Sequence, residues 1–196
     1  MRHGVRVAIA GQGCESSGAL DAAVLIDKLR GADRRSIGRS EEVVCDVLAE
    51  PELFSALIEA MAASDPVVRM RAADAAEKIT CRRPDLLVAC KQRLLDDIAA
   101  APQQEVRWHV AQMLSRLALT GSERERAVEI LIGYLDDDSS IERTFAMQAL
   151  ADLAARDDAL RDRVIPLLEH LVDTGTPAMR ARGRKLVAQL TRASRS

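Results

Sequence analysis

The sequence predicts an all-α protein, an α–α superhelix of about four helix pairs preceded by a degenerate N-terminal pair. The first observation is a segment that occurs four times at a spacing of about 37 residues, a period typical of helical solenoids. The second is that apolar side chains within each copy recur at helical spacing. The third is composition, because hydrophobic residues make up 48% of the chain and aromatic residues 2%. A core of Leu, Ala, Val and Ile suits packing between helices better than packing between sheets.

The four copies align on an arginine at the start of the second helix of each pair. These repeat arginines are Arg69, Arg107, Arg143 and Arg180. Apolar or small residues follow each arginine by three, six, seven and ten positions, in one stripe along a helix. A leucine precedes each arginine by twelve residues, inside an apolar run of its own: Leu57, Leu95, Leu131 and Leu168. Each period therefore predicts two helices, which bury their apolar sides by stacking on neighbouring repeats.

The stretch from Asp65 to Ile79 carries an Asp-x-x-Val-Arg motif and resembles the second helix of a HEAT repeat. The resemblance extends over about residues 51–190. It implies a right-handed stack whose second helices line a concave face. It also implies that the repeat arginines are structural residues that bond to a neighbouring repeat. The sequence departs from the family pattern at Glu142, which replaces an apolar residue, and at the loop aspartate, which later copies replace by Gln103, Ser139 and Thr176.

Taken in order, the chain is predicted to begin with a flexible leader over residues 1–17. A single solenoid domain follows over residues 18–192, and residues 193–196 form a tail. Helical patterns at residues 19–30 and 40–49 make up the degenerate first pair.

Individual residues in the later repeats predict where helices begin and where one of them bends. Pro51 suits the first turn of a helix, and Ser122 with Glu125 is predicted as a capping box. Pro166 lies inside a helical run and is expected to kink it. We expect about ten helices, each of about 14 residues.

Composition excludes several functional classes. The 28 Lys and Arg residues nearly balance 30 Asp and Glu residues, so the whole molecule has no electrostatic footprint for DNA or a membrane. No apolar run approaches the roughly 18 residues that span a bilayer. The four cysteines lack metal-ligand spacing, which favours reduced thiols and a cytoplasmic location. His3, His109 and His170 are too scattered for a metal site, and no catalytic motif occurs, so we expect no metal, no cofactor and no enzymatic activity.

The function predicted from these features is a non-enzymatic protein–protein interaction scaffold or adaptor that presents a concave helical surface. The second helices carry net positive charge and the first helices net negative charge, which favours an anionic protein or peptide in the groove. Residues that every repeat shares serve stacking, so binding should fall on residues that differ between copies. The predicted partner-binding residues are Arg71, Trp108, His109, Phe145, Arg182 and Arg184. Low aromatic content and hydrophilic first helices favour a monomer.

Two alternatives remain open. HEAT-like repeat proteins include alkylpurine DNA glycosylases, whose grooves combine cations, tryptophans and a carboxylate, so a nucleic-acid-binding protein or such an enzyme is the second reading. The single Trp and the lack of a recognisable groove carboxylate count against it. An accessory subunit similar to the HEAT-repeat phycobilin lyases is a third reading, which no specific residue supports.

Overall fold

The computed structural model describes residues 21–32 and 36–193 of the chain. Within these residues it contains ten α-helices and no β-strand. The helices are α1 (Ala22–Leu29), α2 (Ser40–Ala49), α3 (Phe54–Ala60), α4 (Pro66–Arg82), α5 (Leu87–Asp96), α6 (Gln104–Leu114), α7 (Gly121–Tyr134), α8 (Ser140–Ala154), α9 (Asp158–Thr174) and α10 (Pro177–Ala193). None of these helices is long and apolar enough to cross a lipid bilayer.

The helices pack as five consecutive pairs. Each odd-numbered helix contacts the even-numbered helix that follows it, with α5 also packed through a short 3-10 turn at Ile98–Ala100. The even-numbered helices also contact one another in series, so that α2, α4, α6, α8 and α10 form one layer. We call these five helices the inner layer. The predicted all-α superhelix, with a degenerate first pair before four repeats, is confirmed.

The repeated apolar positions form the core between the layers. Leu57, Leu95, Leu131 and Leu168 are at most 2% exposed. Gly183 occupies one of the small-residue positions of the stripe, where a Cβ atom would lie 2.7 Å from Val172 Cγ2 and 3.1 Å from Met147 Cε. The absence of a side chain at this glycine therefore allows α10 to approach α8 and α9 closely.

The start of α7 corrects one prediction. Thr120 and Glu123 form the capping box, with the Thr120 N–H donating to Glu123 Oε2 at 2.8 Å. The predicted pair, Ser122 and Glu125, has the same spacing two residues later. A contact from another helix favours the earlier pair, because Lys91 on α5 lies 2.7 Å from Glu123. Glu125 instead pairs with Arg163 on α9.

Two further predictions concern the ends of the chain and Pro166. The predicted leader lies outside the described residues, as does the tail beyond Ala193, the last residue of α10. Helix α9 continues from Asp158 to Thr174 with Pro166 inside it.

Candidate functional site

Arg69 joins the loop of its own repeat to the following repeat. Its Nη1 donates to the carbonyl oxygens of Ala63 at 2.8 Å and Ser64 at 3.0 Å. Its Nε donates to Gln103 Oε1 at 3.0 Å, immediately before α6. The Gln103 amide then donates to the Pro66 carbonyl at 3.1 Å, which links the same two repeats in the opposite direction.

Arg107 repeats this arrangement with charged partners. Nη1 donates to the Ala101 carbonyl at 2.9 Å, and Nε donates to Glu142 Oε1 at 2.7 Å. Nη2 donates to Asp137 Oδ2 at 2.5 Å. Glu142 is fully buried, and burial raises the pKa of its carboxyl while the hydrogen bond from Arg107 acts to lower it. The departure from the family pattern at Glu142 is therefore the site of an ion pair between successive repeats.

Arg143 and Arg180 do not form such a bond to a neighbouring repeat within the described residues. Arg180 Nε donates to the Gly175 carbonyl of its own loop at 2.8 Å. Arg143 Nε is buried and has no hydrogen-bond partner in the described part of the chain. The link between repeats that the resemblance implies is thus formed at two of the four repeat arginines.

The residues two positions after the repeat arginines point back toward the preceding repeat, and Arg71 is the clearest example. Its side chain donates to the carbonyls of Leu29 at 3.1 Å, Arg30 at 2.7 Å and Ser36 at 3.0 Å. Arg71 is 4% exposed. Because its guanidinium is buried and bonded to described residues at both ends of the connection between α1 and α2, we remove Arg71 from the candidate partner-binding surface.

Trp108 and His109 line a cavity between α4, α6 and the connection that leads into α2. Their rings lie 5.8 Å apart in an edge-on arrangement. Asp74 and Met70 of α4 line the same cavity. Burial lowers the pKa of His109, although the nearby carboxylates of Asp74 and Glu77 act to raise it. His109 is therefore a neutral imidazole at pH 7, and Trp108 is a half-buried aromatic side chain at an open surface.

Phe145 and Arg182 belong to the next part of the inner layer. Phe145 lines a cavity of about 220 Å³ together with Gln112 of α6 and Gln148 of α8. Arg182 of α10 donates to Gln148 Oε1 at 2.7 Å. Gln112 in turn reaches the Trp108 carbonyl at 3.3 Å. Trp108 and Gln112 are four residues apart, so their side chains lie on the same face of α6. We call the surface across α6, α8 and α10 that carries Trp108, Phe145 and Arg182 the inner groove.

Arg184 does not belong to the inner groove. It lines a different cavity between α9 and α10, together with Glu169 and Asp173. Arg182 and Arg184 differ by two residues, which turns their side chains about 200° apart around a helix. The predicted partner-binding residues therefore do not form one surface. Arg71 is buried, Trp108, Phe145 and Arg182 belong to the inner groove, and Arg184 lies on the other side of α10.

The sequence analysis missed Asp74, Gln112 and Gln148. All three lie five residues after a repeat arginine, and Lys185 occupies the same position in the last repeat. The sequence feature that could have identified these residues is their repeat position, which is polar in every copy although it lies between apolar positions of the helical stripe. A polar position of this kind indicates the exposed edge of the inner layer.

Most of the unpaired positive charge of the inner layer lies on its last helix, with Arg82 at the end of α4 as a further exposed cation. Arg69, Arg71 and Arg107 are held by internal hydrogen bonds, as described above. Arg116 donates to the Thr80 hydroxyl at 3.0 Å and pairs with Glu77 at 2.5 Å. Exposed cations with no ion pair to a described residue remain on α10. In the described residues, no group of three or more His, Cys, Asp or Glu side chains is arranged to hold a metal ion.

The stacked helix pairs with a shared inner layer define the chain as an α-solenoid protein. Residues 56–151 match the family profile described as HEAT repeats, so this part of the chain consists of HEAT repeats. The resemblance predicted from the repeated arginine motif is thereby confirmed. No curated protein matches the chain.

Two groups of solved structures have a similar fold. An engineered protein, solved as a structural-genomics target, superposes with a TM-score of 0.62 at 15% identity, over 88% of this chain and 80% of its own. Computationally designed armadillo repeat proteins for modular peptide recognition superpose with a TM-score of 0.61 at 16% identity, over 86% of this chain and 81% of theirs. At these identities the similarity concerns the fold alone.

Proposed function

We propose that the chain is a non-enzymatic scaffold that binds a peptide segment of another protein in the inner groove. The observation that carries this proposal is that Trp108 and Gln112 share one face of α6, next to the Phe145 cavity and the bond between Arg182 and Gln148. This surface combines two aromatic side chains with two carboxamides on one accessible face. Aromatic side chains provide contact area, and carboxamides both donate and accept hydrogen bonds, so a peptide backbone suits this surface.

The state of Trp108 supports the same proposal. The side chain is half-buried, and no described residue accepts a hydrogen bond from its indole nitrogen. An indole N–H at a surface is available to a carbonyl oxygen of a partner. The proposal includes a monomeric scaffold in the cytoplasm, where the thiols of Cys45, Cys81 and Cys90 would stay reduced, as they are free here.

The experiment is selection of peptides from a random 12-residue library displayed on yeast, with the purified full chain as target. Trp108 is the only tryptophan in the sequence, so its fluorescence reports directly on the inner groove. Selected peptides are expected to shift the Trp108 emission, and Phe145→Ala is expected to weaken their binding. Val88→Ala is the control, because Val88 is 63% exposed on α5, outside the inner layer. If no peptide is enriched, or if enriched peptides leave Trp108 unaffected, the proposal is wrong.

A second candidate function gains one observation. The structure brings Asp74 into the cavity of Trp108 and His109, so a carboxylate beside an aromatic ring is present after all. That carboxylate is 3.0 Å from Lys78, in an ion pair within α4. The DNA glycosylase alternative predicts release of methylated purines from alkylated DNA, with loss of this activity in Asp74→Asn. Absence of purine release from the wild-type chain would exclude it.

A further inference from the structure

Helix α10 differs from the other helices in its charge. It carries Arg180, Arg182, Arg184, Lys185 and Arg192 and contains no acidic residue. None of these cations forms an ion pair with a described residue. Several cations elsewhere are paired with carboxylates of a neighbouring repeat, for example Lys78 with Glu41 at 2.5 Å and Arg124 with Asp157 at 2.5 Å.

Three of these cations lie along one exposed face of α10. Arg182, Lys185 and Arg192 follow the helical spacing of three and ten residues, and all three are exposed. We call them the α10 stripe. The opposite face of the helix is buried through Met179, Leu186 and Leu190, which are at most 2% exposed. The stripe is continuous with the inner groove, because Arg182 contacts Gln148.

We infer that the partner of the inner groove is an acidic protein segment whose carboxylates bind the α10 stripe. This inference rests on the function proposed above and specifies the chemistry of the partner. Ten residues of helix separate Arg182 from Arg192, or about 15 Å at the α-helical rise. An extended segment of about five residues covers that length. Two or three carboxylates within such a segment match the three cations.

A nucleic acid fits the same surface less well. The stripe is narrow, and the groove that continues from it contains a carboxylate, because Asp152 lines the Phe145 cavity together with Gln148, the residue that Arg182 contacts. A nucleic acid carries a phosphate about every 3.4 Å along each strand, and its affinity for a protein rises with the number of phosphates that cations contact. It therefore needs a broad positive surface. The formal net charge of −2 for the whole chain adds no long-range attraction.

The experiment compares peptides selected by the wild-type chain with those selected by Arg182→Gln/Lys185→Gln/Arg192→Gln. The control Arg30→Gln/Arg83→Gln/Arg126→Gln removes the same formal charge at exposed positions away from α10. The wild type and the control are expected to enrich Asp and Glu relative to the library. The α10 variant is expected to bind the same acidic peptides at least about tenfold more weakly, and about 0.5 M NaCl is expected to weaken their binding to the wild type.

Each other outcome overturns the inference in a distinguishable way. Enriched peptides that shift Trp108 fluorescence but are not acidic, or that bind the α10 variant as tightly as the wild type, leave the scaffold function in place and refute the acidic partner. A fluorescein-labelled 12-residue oligothymidylate that binds the α10 stripe more tightly than the acidic peptides identifies a nucleic-acid surface instead. If no peptide is enriched, the proposed function itself fails.

Discussion

Arg107 and Glu142 lie in successive repeats, and Nε of the arginine is 2.7 Å from Oε1 of the fully buried glutamate. The same guanidinium bonds to Asp137 in the loop that precedes α8. One side chain therefore fixes the position of α8 relative to α6. Because removal of Arg107 leaves a buried carboxylate without its cation, its effect on stability should greatly exceed that of an exposed arginine.

The first prediction concerns this ion pair. Arg107→Ala is expected to lower the free energy of unfolding by roughly 3–5 kcal/mol. The double variant Arg107→Met/Glu142→Val is expected to regain most of the loss, because it removes the buried carboxylate together with its cation, and valine occupies the position of Glu142 in two other repeats, at Val68 and Val106. Urea denaturation of the two variants tests this prediction, and equal destabilisation of both would contradict it.

The second prediction is a pH effect in Arg107→Ala. Without the arginine, burial alone acts on Glu142, and its folded-state pKa lies further above the ordinary value of 4.5. The folded state then holds a proton that the unfolded state releases, so the stability of the variant falls as the pH rises above 4.5 through the raised value. Urea midpoints measured from acid to neutral pH should therefore show the deficit of Arg107→Ala growing with pH. A deficit that is constant over this range would show that Glu142 does not titrate in the variant.

The third prediction concerns Glu123 in the capping box. The contacts from Lys91 and the Thr120 N–H lower its pKa from 4.5 to about 2. A depressed carboxyl pKa contributes stability that is present above the unfolded value of 4.5 and is lost as the pH falls through about 2. The difference in Tm between the wild type and Glu123→Gln should be constant at neutral pH and shrink toward zero in acid. Glu129→Gln on the same helix corrects for the change in net charge.

The fourth prediction separates scaffold from binding surface. Trp108→Ala combined with Arg182→Ala is expected to weaken binding of the selected peptides while changing Tm much less than Arg107→Ala does. Arg107→Ala is expected to show the reverse pattern once it is measured below its lowered Tm. Peptide affinity and Tm are measured on both variants. A reversed pattern would contradict the assignment of Trp108 and Arg182 to the binding surface and of Arg107 to the scaffold.

The fifth prediction concerns the repeated leucines. Leu95 is 2% exposed between the layers, and Leu95→Ala is expected to cost roughly 2–5 kcal/mol through lost burial and the cavity that remains. Val88→Ala on the same helix is the control, because Val88 is 63% exposed and its truncation should change stability by less than about 0.5 kcal/mol. Similar urea midpoints for the two variants would contradict the assigned packing.

The fold was predictable because it depends on features that recur in the sequence. Each copy has a leucine, an arginine and a small-residue stripe at fixed spacing. Each of these features serves the same packing contact in every repeat. The roles of individual polar residues were less predictable. Arg71 and His109 share a position in the repeat and line the same cavity. The Arg71 guanidinium donates to three carbonyls of the preceding repeat, whereas His109 Nδ1 has no hydrogen-bond partner in the described part of the chain, because the preceding repeat differs in each case.

Contacts between residues that are distant in the sequence explain why the capping box of α7 and the function of Glu142 were not predicted correctly. Thr120–Glu123 and Ser122–Glu125 have equal spacing, and the choice between them is favoured by Lys91, 32 residues from Glu123. Likewise, the function of Glu142 depends on Arg107, 35 residues before it. Local spacing alone does not contain this information.

The enclosure of Arg71 has a consequence for how the chain assembles. The carbonyls of Leu29, Arg30 and Ser36 accept from the guanidinium, and both Gly31 and Gly38 have positive φ angles where a Cβ atom would lie within 2.8 Å of it. The first helix pair therefore cannot reach its final form until α4 has formed and supplied this arginine. Amide hydrogen exchange should show α1 and α2 opening together as one unit, while α4 stays protected, and Arg71→Met should speed exchange in that unit first. We therefore expect the first helix pair, at the end of the array nearest the N-terminus, to open before α4 does.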